Sequence, residues 1–201
     1  VESEPSIFDV ILNQRACRQF RDDPVSDELL ERCLRAATHA PSAENLQPWI
    51  FVVVREAQQR RALGELCSQA WERGGRAHSE DRLPAPLFRD VDAAAQSGFE
   101  TAPVFIVVCG DSNVGLAQTL PSSVFPAAQN LLLAAAGCGL GTAMTTLATA
   151  FRNELMELLE LPSHVLPLAV LPLGWPQRPL GPPKRIPFQE KTYRDRFSSP
   201  W

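Results

Sequence analysis

One domain that mixes helices with buried strands is the fold class this sequence predicts, and three observations predict it. The chain has 201 residues, 45% of them hydrophobic, which suits one sizeable core. Three short runs, Trp49 to Val54, Pro103 to Cys109 and Val165 to Leu173, are continuously apolar and rich in β-branched or aromatic residues. Between them lie longer segments whose apolar residues recur at helical spacing.

In chain order, Ser6 to Asn13 reads as a short helix with Ile7, Val10 and Ile11 on one stripe. After Pro24, Ser26 or Asp27 caps a helix running to Ala40, with Leu29, Leu30, Cys33, Ala36, Ala37 and Ala40 inward. Trp49 to Val54 is expected to be a strand covered on both faces, and Ala57 to about Trp71 a second amphipathic helix. Glu72 to Ala95 is polar and weakly periodic, and reads as a mobile connection of the kind that covers active sites. Pro103 to Cys109 is a second buried strand. Ser122 or Ser123 then caps a helix over Val124 to Ala136 that is apolar on nearly every side. Such a helix is either central to its domain or shared between subunits, and the domain's modest size favours a dimer interface. Gln129 and Asn130 on it read as interface residues that need partners.

Gly137-Cys138-Gly139-Leu140-Gly141 follows a helix rather than a strand, so it reads as a C-cap and not as a dinucleotide fingerprint. Thr142 to Leu147 is short and extended, and Phe151 to Leu161 is a helix stopped by Pro162. Pro167 and Pro172 place the Val165 to Leu173 strand at a sheet edge or give it irregular ends. From Gly174 the chain becomes a Pro-rich arm that cannot build a core of its own and is expected to lie across a partner subunit.

A net charge of −4 and a pI near 5.4 argue against nucleic acid or an anionic membrane surface as partner. No apolar run approaches a bilayer span, and nothing at Val1 to Pro5 resembles a signal peptide, so a cytoplasmic setting is expected. The five cysteines are scattered without a C-x-x-C, as expected of buried reduced thiols. Three isolated histidines predict no metal site and no Cys/His nucleophile pair. If the chain performs chemistry, an organic cofactor carries it.

Two stretches stand out. In His39-Ala40-Pro41-Ser42-Ala43-Glu44-Asn45-Leu46-Gln47-Pro48-Trp49, both prolines bar helical geometry before them, leaving backbone groups and the Asn45 and Gln47 amides idle. That suits reading the edge of a planar polar heterocycle, and equally suits a plain helix-to-strand connection. Arg15, Arg18 and Arg21, spaced by three beside Phe20, are either a solvated basic face or an anion site.

Together with two further stretches these resemble the nitroreductase-like, FMN-dependent flavoprotein family. The four are Arg15-Ala16-Cys17-Arg18-Gln19-Phe20, Ala40 to Trp49, Gln129-Asn130-Leu131-Leu132 through Gly139-Leu140-Gly141-Thr142, and Gly174-Trp175-Pro176 followed by Lys184-Arg185-Ile186-Pro187. The resemblance implies an α+β fold over residues 1–201, a central mixed or antiparallel sheet flanked by helices, and an intertwined homodimer. Residues 174–201 would be the arm crossing the partner. It also implies FMN at the subunit interface and NADH or NADPH as electron donor.

By the same resemblance Arg15, beside Ala16, and Arg185, helped by Lys184, take the phosphate and ribityl chain, and Arg18 stands near the flavin ring. Pro41, Ser42, Ala43, Asn45 and Gln47 are lent by the second subunit, and Thr145 and Thr146 pass flavin N5. No side chain is implied as catalytic acid or base. The implied activity is ping-pong reduction of small electron-poor acceptors such as nitroaromatics and quinones. Gln14 and Ala16 stand where many members have arginine and serine, which leaves flavin storage with little turnover as an alternative. Dehalogenation or specialised flavin chemistry on the same fold is another.

Overall fold

The computed structural model describes residues 5–201; residues 1–4, on which part of the leader expectation rests, lie outside them. The chain opens with α1 (Ile7–Asn13), capped by Ser6 in a reciprocal pair with Asp9, and α2 (Asp27–Ala37), capped by Ser26. β1 (Trp49–Val54) and α3 (Ala57–Ala70) follow. Then come a π-helical turn (Trp71–Gly75), α4 (Arg76–Glu80), α5 (Ala85–Gln96) and β2 (Val104–Asp111). The second half holds α6 (Leu120–Gly137), β3 (Gly141–Thr142), a 3-10 turn (Leu147–Phe151), α7 (Arg152–Leu158) and β4 (Val165–Gly174).

The strands form one sheet in the order β1-β2-β4-β3, every neighbouring pair antiparallel. A single parallel bridge joins Ala16 to Thr142. β2 is buried along Val104 to Gly110, and its side chains alternate between two cores. Val104, Ile106 and Val108 pack with Cys33, Leu131 and Ala135 beneath α2 and α6. Phe105, Val107 and Cys109 pack with Leu63, Cys67 and Leu155 beneath α3 and α7. The helices are thus held on opposite faces of an α+β sandwich because β2 has no polar side. α3 touches the turn before β2 backbone to backbone, since a Cβ on Gly64 would meet the Gly98 carbonyl oxygen at 2.6 Å.

Several expectations are corrected. Glu72 to Ala95 is no irregular connection: it is largely helical, and α5 is pinned by Trp71 Nε1–H donating to Asp92 Oδ1 at 2.8 Å. Its helical period is hidden because α5 buries only Ala94 and Ala95. β4 lies inside the sheet, not at its edge. Pro167 is tolerated at a bulge where Val108 faces Ala169 but Cys109 faces Pro167, and Pro172 turns its carbonyl to Ala143 N–H at 3.3 Å. β1 and the two-residue β3 are the edges instead, and Ile50 to Val53 of β1 are only half-buried. α6 begins at Leu120, before both serines offered as its cap; Ser122 bonds back to the Thr119 carbonyl and Ser123 is buried. α2 stops at Ala37, and the helix before Pro162 opens with a 3-10 turn and closes at Leu158.

α1 buries none of its residues: Phe8 is 72% exposed, and Ile7, Ile11 and Leu12 also face outward. The arm after Gly174 carries exposed Ile186, Phe188, Phe197 and Trp201. Among the described residues no helix is long and apolar enough to cross a membrane.

Candidate functional site

The basic segment is placed by backbone stitching on both sides. Cys17 N–H donates to the Thr142 carbonyl at 2.8 Å, which needs Gly141 beside it without a side chain. Arg21 N–H donates to Trp175 O at 2.8 Å and Gln177 N–H to Gln19 O at 3.1 Å, with buried Phe20 bridged to Pro176. The start of the arm therefore runs alongside the basic segment and delivers Arg178 to it.

The result is a cleft of about 320 Å³ lined by Arg15, Arg18, Arg178 and Asp90, with Cys17 on its floor. Arg15 Nη1 donates to the Gly181 carbonyl at 3.1 Å, which leaves the rest of its fork available. Arg178 Nη2 stands 3.8 Å from Asp90 Oδ2 in an exposed pair of small energetic weight. Burial pulls the Arg18 pKa below its ordinary value and Arg15 adds to that, while Asp90 pulls the other way. An arginine stays charged through such a shift, so Arg18 is a partly desolvated cation that has the Asp90 carboxylate nearby. Burial likewise pushes the Cys17 thiol up, against the Gln19 carbonyl bond and the nearby Arg18 and Arg178 charges. Cys17 is a poor nucleophile here. Three guanidinium groups facing one carboxylate make a cradle for a multiply charged oxyanion.

Apart from Ala16, the other candidates sit elsewhere in the chain. Of the Pro41 to Gln47 loop, Ala43, Glu44 and Leu46 line a separate cavity of about 130 Å³ with Gly115, Leu116 and Ser123. Pro41, Ser42, Asn45 and Gln47 line neither it nor the arginine cleft. Lys184 and Arg185 are exposed on the arm, and Arg185 Nη1 donates to the Lys184 carbonyl at 3.2 Å. Neither lines the arginine cleft. Thr145 is bonded to Val170 in both directions, N–H to carbonyl at 2.9 Å and carbonyl to N–H at 2.8 Å. Thr146 N–H has no acceptor among the described residues, so of the two threonines it alone offers a free backbone donor. Ala16 lies in the cleft beside Arg15.

Sequence reasoning missed Arg178 and Asp90. Arg178 stands just beyond Gly174-Trp175-Pro176 and is found by extending that motif two residues. Asp90 gives no signal, because its segment reads as irregular.

The profile of the nitroreductase family matches residues 11–175, the span that contains the sheet, the basic segment and the Pro41 to Gln47 loop. The chain belongs to the nitroreductase family. Among proteins similar to this family member is an NADH dehydrogenase of Thermus thermophilus, 30% identical over 195 residues, with 89% of this chain and 90% of that protein covered. A nitrobenzene nitroreductase of Ectopseudomonas oleovorans is 29% identical over 201 residues, covering 86% of this chain and 88% of its own. The solved structure of an NADPH:FMN oxidoreductase from Vibrio harveyi, complexed with NAD+, superimposes with a TM-score of 0.74 at 22% identity. It covers 95% of this chain and 77% of that one, a likeness of fold.

Proposed function

We propose that this nitroreductase-family protein is an FMN-dependent NAD(P)H oxidoreductase that reduces small electron-poor acceptors, nitroaromatics or quinones, with donor and acceptor using one site in turn. The observation that carries the reading is the cleft where Arg15, Arg18 and Arg178 converge. Its donor set suits the phosphate of FMN: guanidinium forks match phosphate oxygens in pairs, and Gly141 lets the basic segment lie against β3. FMN bound there supplies hydride acceptance and donation.

In this reading Arg15 and Arg178 hold the phosphate, while Lys184 and Arg185, which do not line this cleft, serve the site of the neighbouring copy. Arg18, cationic and half-desolvated, favours the extra negative charge that reduction brings. Thr146 supplies a backbone N–H to the ring edge, a task Thr145 cannot share while bonded to Val170. Pro41, Ser42, Ala43, Asn45 and Gln47 serve the site of the neighbouring copy, because they stand apart from the cleft of their own protomer. A homodimer accounts for that separation and covers the apolar face of α1. It also closes the groove of about 510 Å³ that Ile7, Val10, Leu133 and Ala134 line beside it. The chain 1–201 then acts as one FMN domain, in the cytoplasm where reduced nicotinamides are at hand. The start of its arm, through Gly181, packs on its own basic segment, so only the part beyond is free to cross the partner.

Protein purified with flavin should be yellow, and should bleach anaerobically on adding NADH or NADPH. Flavin that stays oxidised with both donors overturns the reading. A second reading, flavin storage, is favoured by Gln14 and Ala16, which supply neither a charge nor a hydroxyl to the phosphate site. It predicts bound FMN with negligible steady-state turnover.

A further inference from the structure

The Pro41 to Gln47 loop is strained beyond what its own protomer explains. Glu44, Asn45 and Gln47 have φ of 51°, 57° and 52°. Left-handed backbone is disfavoured for side chains with a Cβ, and for Glu and Gln more than for Asn. Such conformations persist where the surroundings over-determine them, and they gather at ligand-facing sites. Yet Ala43 to Gln47 are all exposed, so the strain is not offset by burial within the chain.

The bonds that hold the loop are nearly all its own. Gln47 N–H donates to Ser42 Oγ at 3.0 Å, Asn45 N–H to the Ser42 carbonyl at 3.2 Å, and Leu46 N–H to the Ala43 carbonyl at 2.9 Å. Among the described residues one hydrogen bond ties it to another element: Ala43 N–H donates to Ser123 Oγ at 3.2 Å. Ser123 is 3% exposed on the otherwise apolar buried face of α6. A hydroxyl there needs a partner, and the loop is that partner.

We infer that Ser123 is a positioning residue, which fixes the strained Pro41 to Gln47 loop in the shape that meets the flavin of the neighbouring copy. The inference rests on the functional reading above. Ordering the loop before binding spares the cost of ordering it on binding. Removing the hydroxyl leaves Ala43 N–H in an exposed loop, where water replaces it, so the fold loses little while the loop loses its tie to α6.

The test compares the full-length parent with Ser123→Ala and Ser123→Thr. FMN affinity is read by quenching of flavin fluorescence, the bound flavin by visible circular dichroism at saturating FMN, and the apoprotein by its Tm. For Ser123→Ala we expect Kd to rise about tenfold, about 1.4 kcal/mol, with a changed flavin dichroism band and an apo Tm near the parent's. Ser123→Thr should restore both flavin readouts. An alanine variant with the parent's Kd and dichroism overturns the inference. So does one whose Tm falls in step with affinity and which threonine does not rescue, since that is a merely structural role. A parent chain that binds no FMN overturns the functional reading and the inference with it.

Discussion

Replacing Gly141 with alanine tests the stitch between the basic segment and β3. The added Cβ would stand 2.6 Å from both Cβ and Sγ of Cys17 and 3.1 Å from Cγ of Pro176. Carbon atoms rest at about 3.5–4.0 Å, so roughly 1 Å must be found. Cys17 cannot retreat freely, because its N–H is held by Thr142 O at 2.8 Å and its Sγ–H donates to Gln19 O at 3.3 Å. Overpacking of this kind costs about 1–3 kcal/mol, and losing the Cys17–Thr142 bond adds about 1 kcal/mol. Alanine's entropic advantage over glycine in a strand offsets roughly 0.5–1 kcal/mol. The net destabilisation is about 2 kcal/mol, or roughly 4–8 °C in Tm for a chain of this size. FMN affinity should fall as well, because any relief moves Arg15 and Arg18 relative to Arg178. Scanning calorimetry and an FMN titration measure the two effects. The double variant Cys17→Gly/Gly141→Ala, which removes both opposing atoms, should show a less than additive loss. A single variant with Tm within about 1 °C of the parent and an unchanged Kd refutes the account.

Arg178→Ala should weaken FMN about 10- to 100-fold by calorimetric titration, as expected for one lost charge-assisted contact, with Arg178→Lys intermediate. Phe8→Glu, on the outward face of α1, should yield monomer in sedimentation equilibrium; an intact dimer would remove α1 from the interface. Burial pushes the Cys33, Cys67 and Cys109 thiols up to about 12. Their unfolded pKa lies near 8.5, so stability is flat below that value and falls as pH rises from there toward 12, because only the unfolded chain releases those protons. Urea midpoints from pH 7 to 10.5 should fall only above about pH 9, and native protein should resist alkylation at these three positions.

The sheet's three long strands are legible because each is a continuous apolar run, and α2 because its cap and stripe are local, although it stops at Ala37 and not at Ala40. The place of β4 is not. Proline argues for an edge only when its missing N–H would face a partner, and the bulge at Pro167 and the short β3 beside Pro172 depend on other segments. α5 is invisible for a related reason: it is fastened by polar bonds, from Trp71 and Arg76 to Asp92 and from Ser68 to the Gln96 carbonyl, rather than by an apolar stripe. At the candidate site, Arg15 and Arg18 are singled out by the family resemblance, because the spacing marks Arg21 equally, and that residue pairs with Asp23 outside the cleft. Arg178 enters through backbone pairing of residues 19–21 with 175–177, a long-range register that no local pattern encodes. Ser123 has the local signature of a cap, a serine before an apolar run. Its true partner is 80 residues away.

The bare crossing of Gly64 and Gly98 limits how this architecture can drift. Each position presents its peptide unit to the other, and a methyl group on Gly64 would already intrude to 2.6 Å of a carbonyl oxygen. Neither can gain a side chain alone, and enlarging both only compounds the collision. The tilt of α3 over the sheet is therefore set by two missing groups rather than by any contact that could be exchanged for another. Variation that adapts the molecule to new substrates has to be absorbed by parts that do not rest on this crossing, and α4, which buries none of its residues, is such a part.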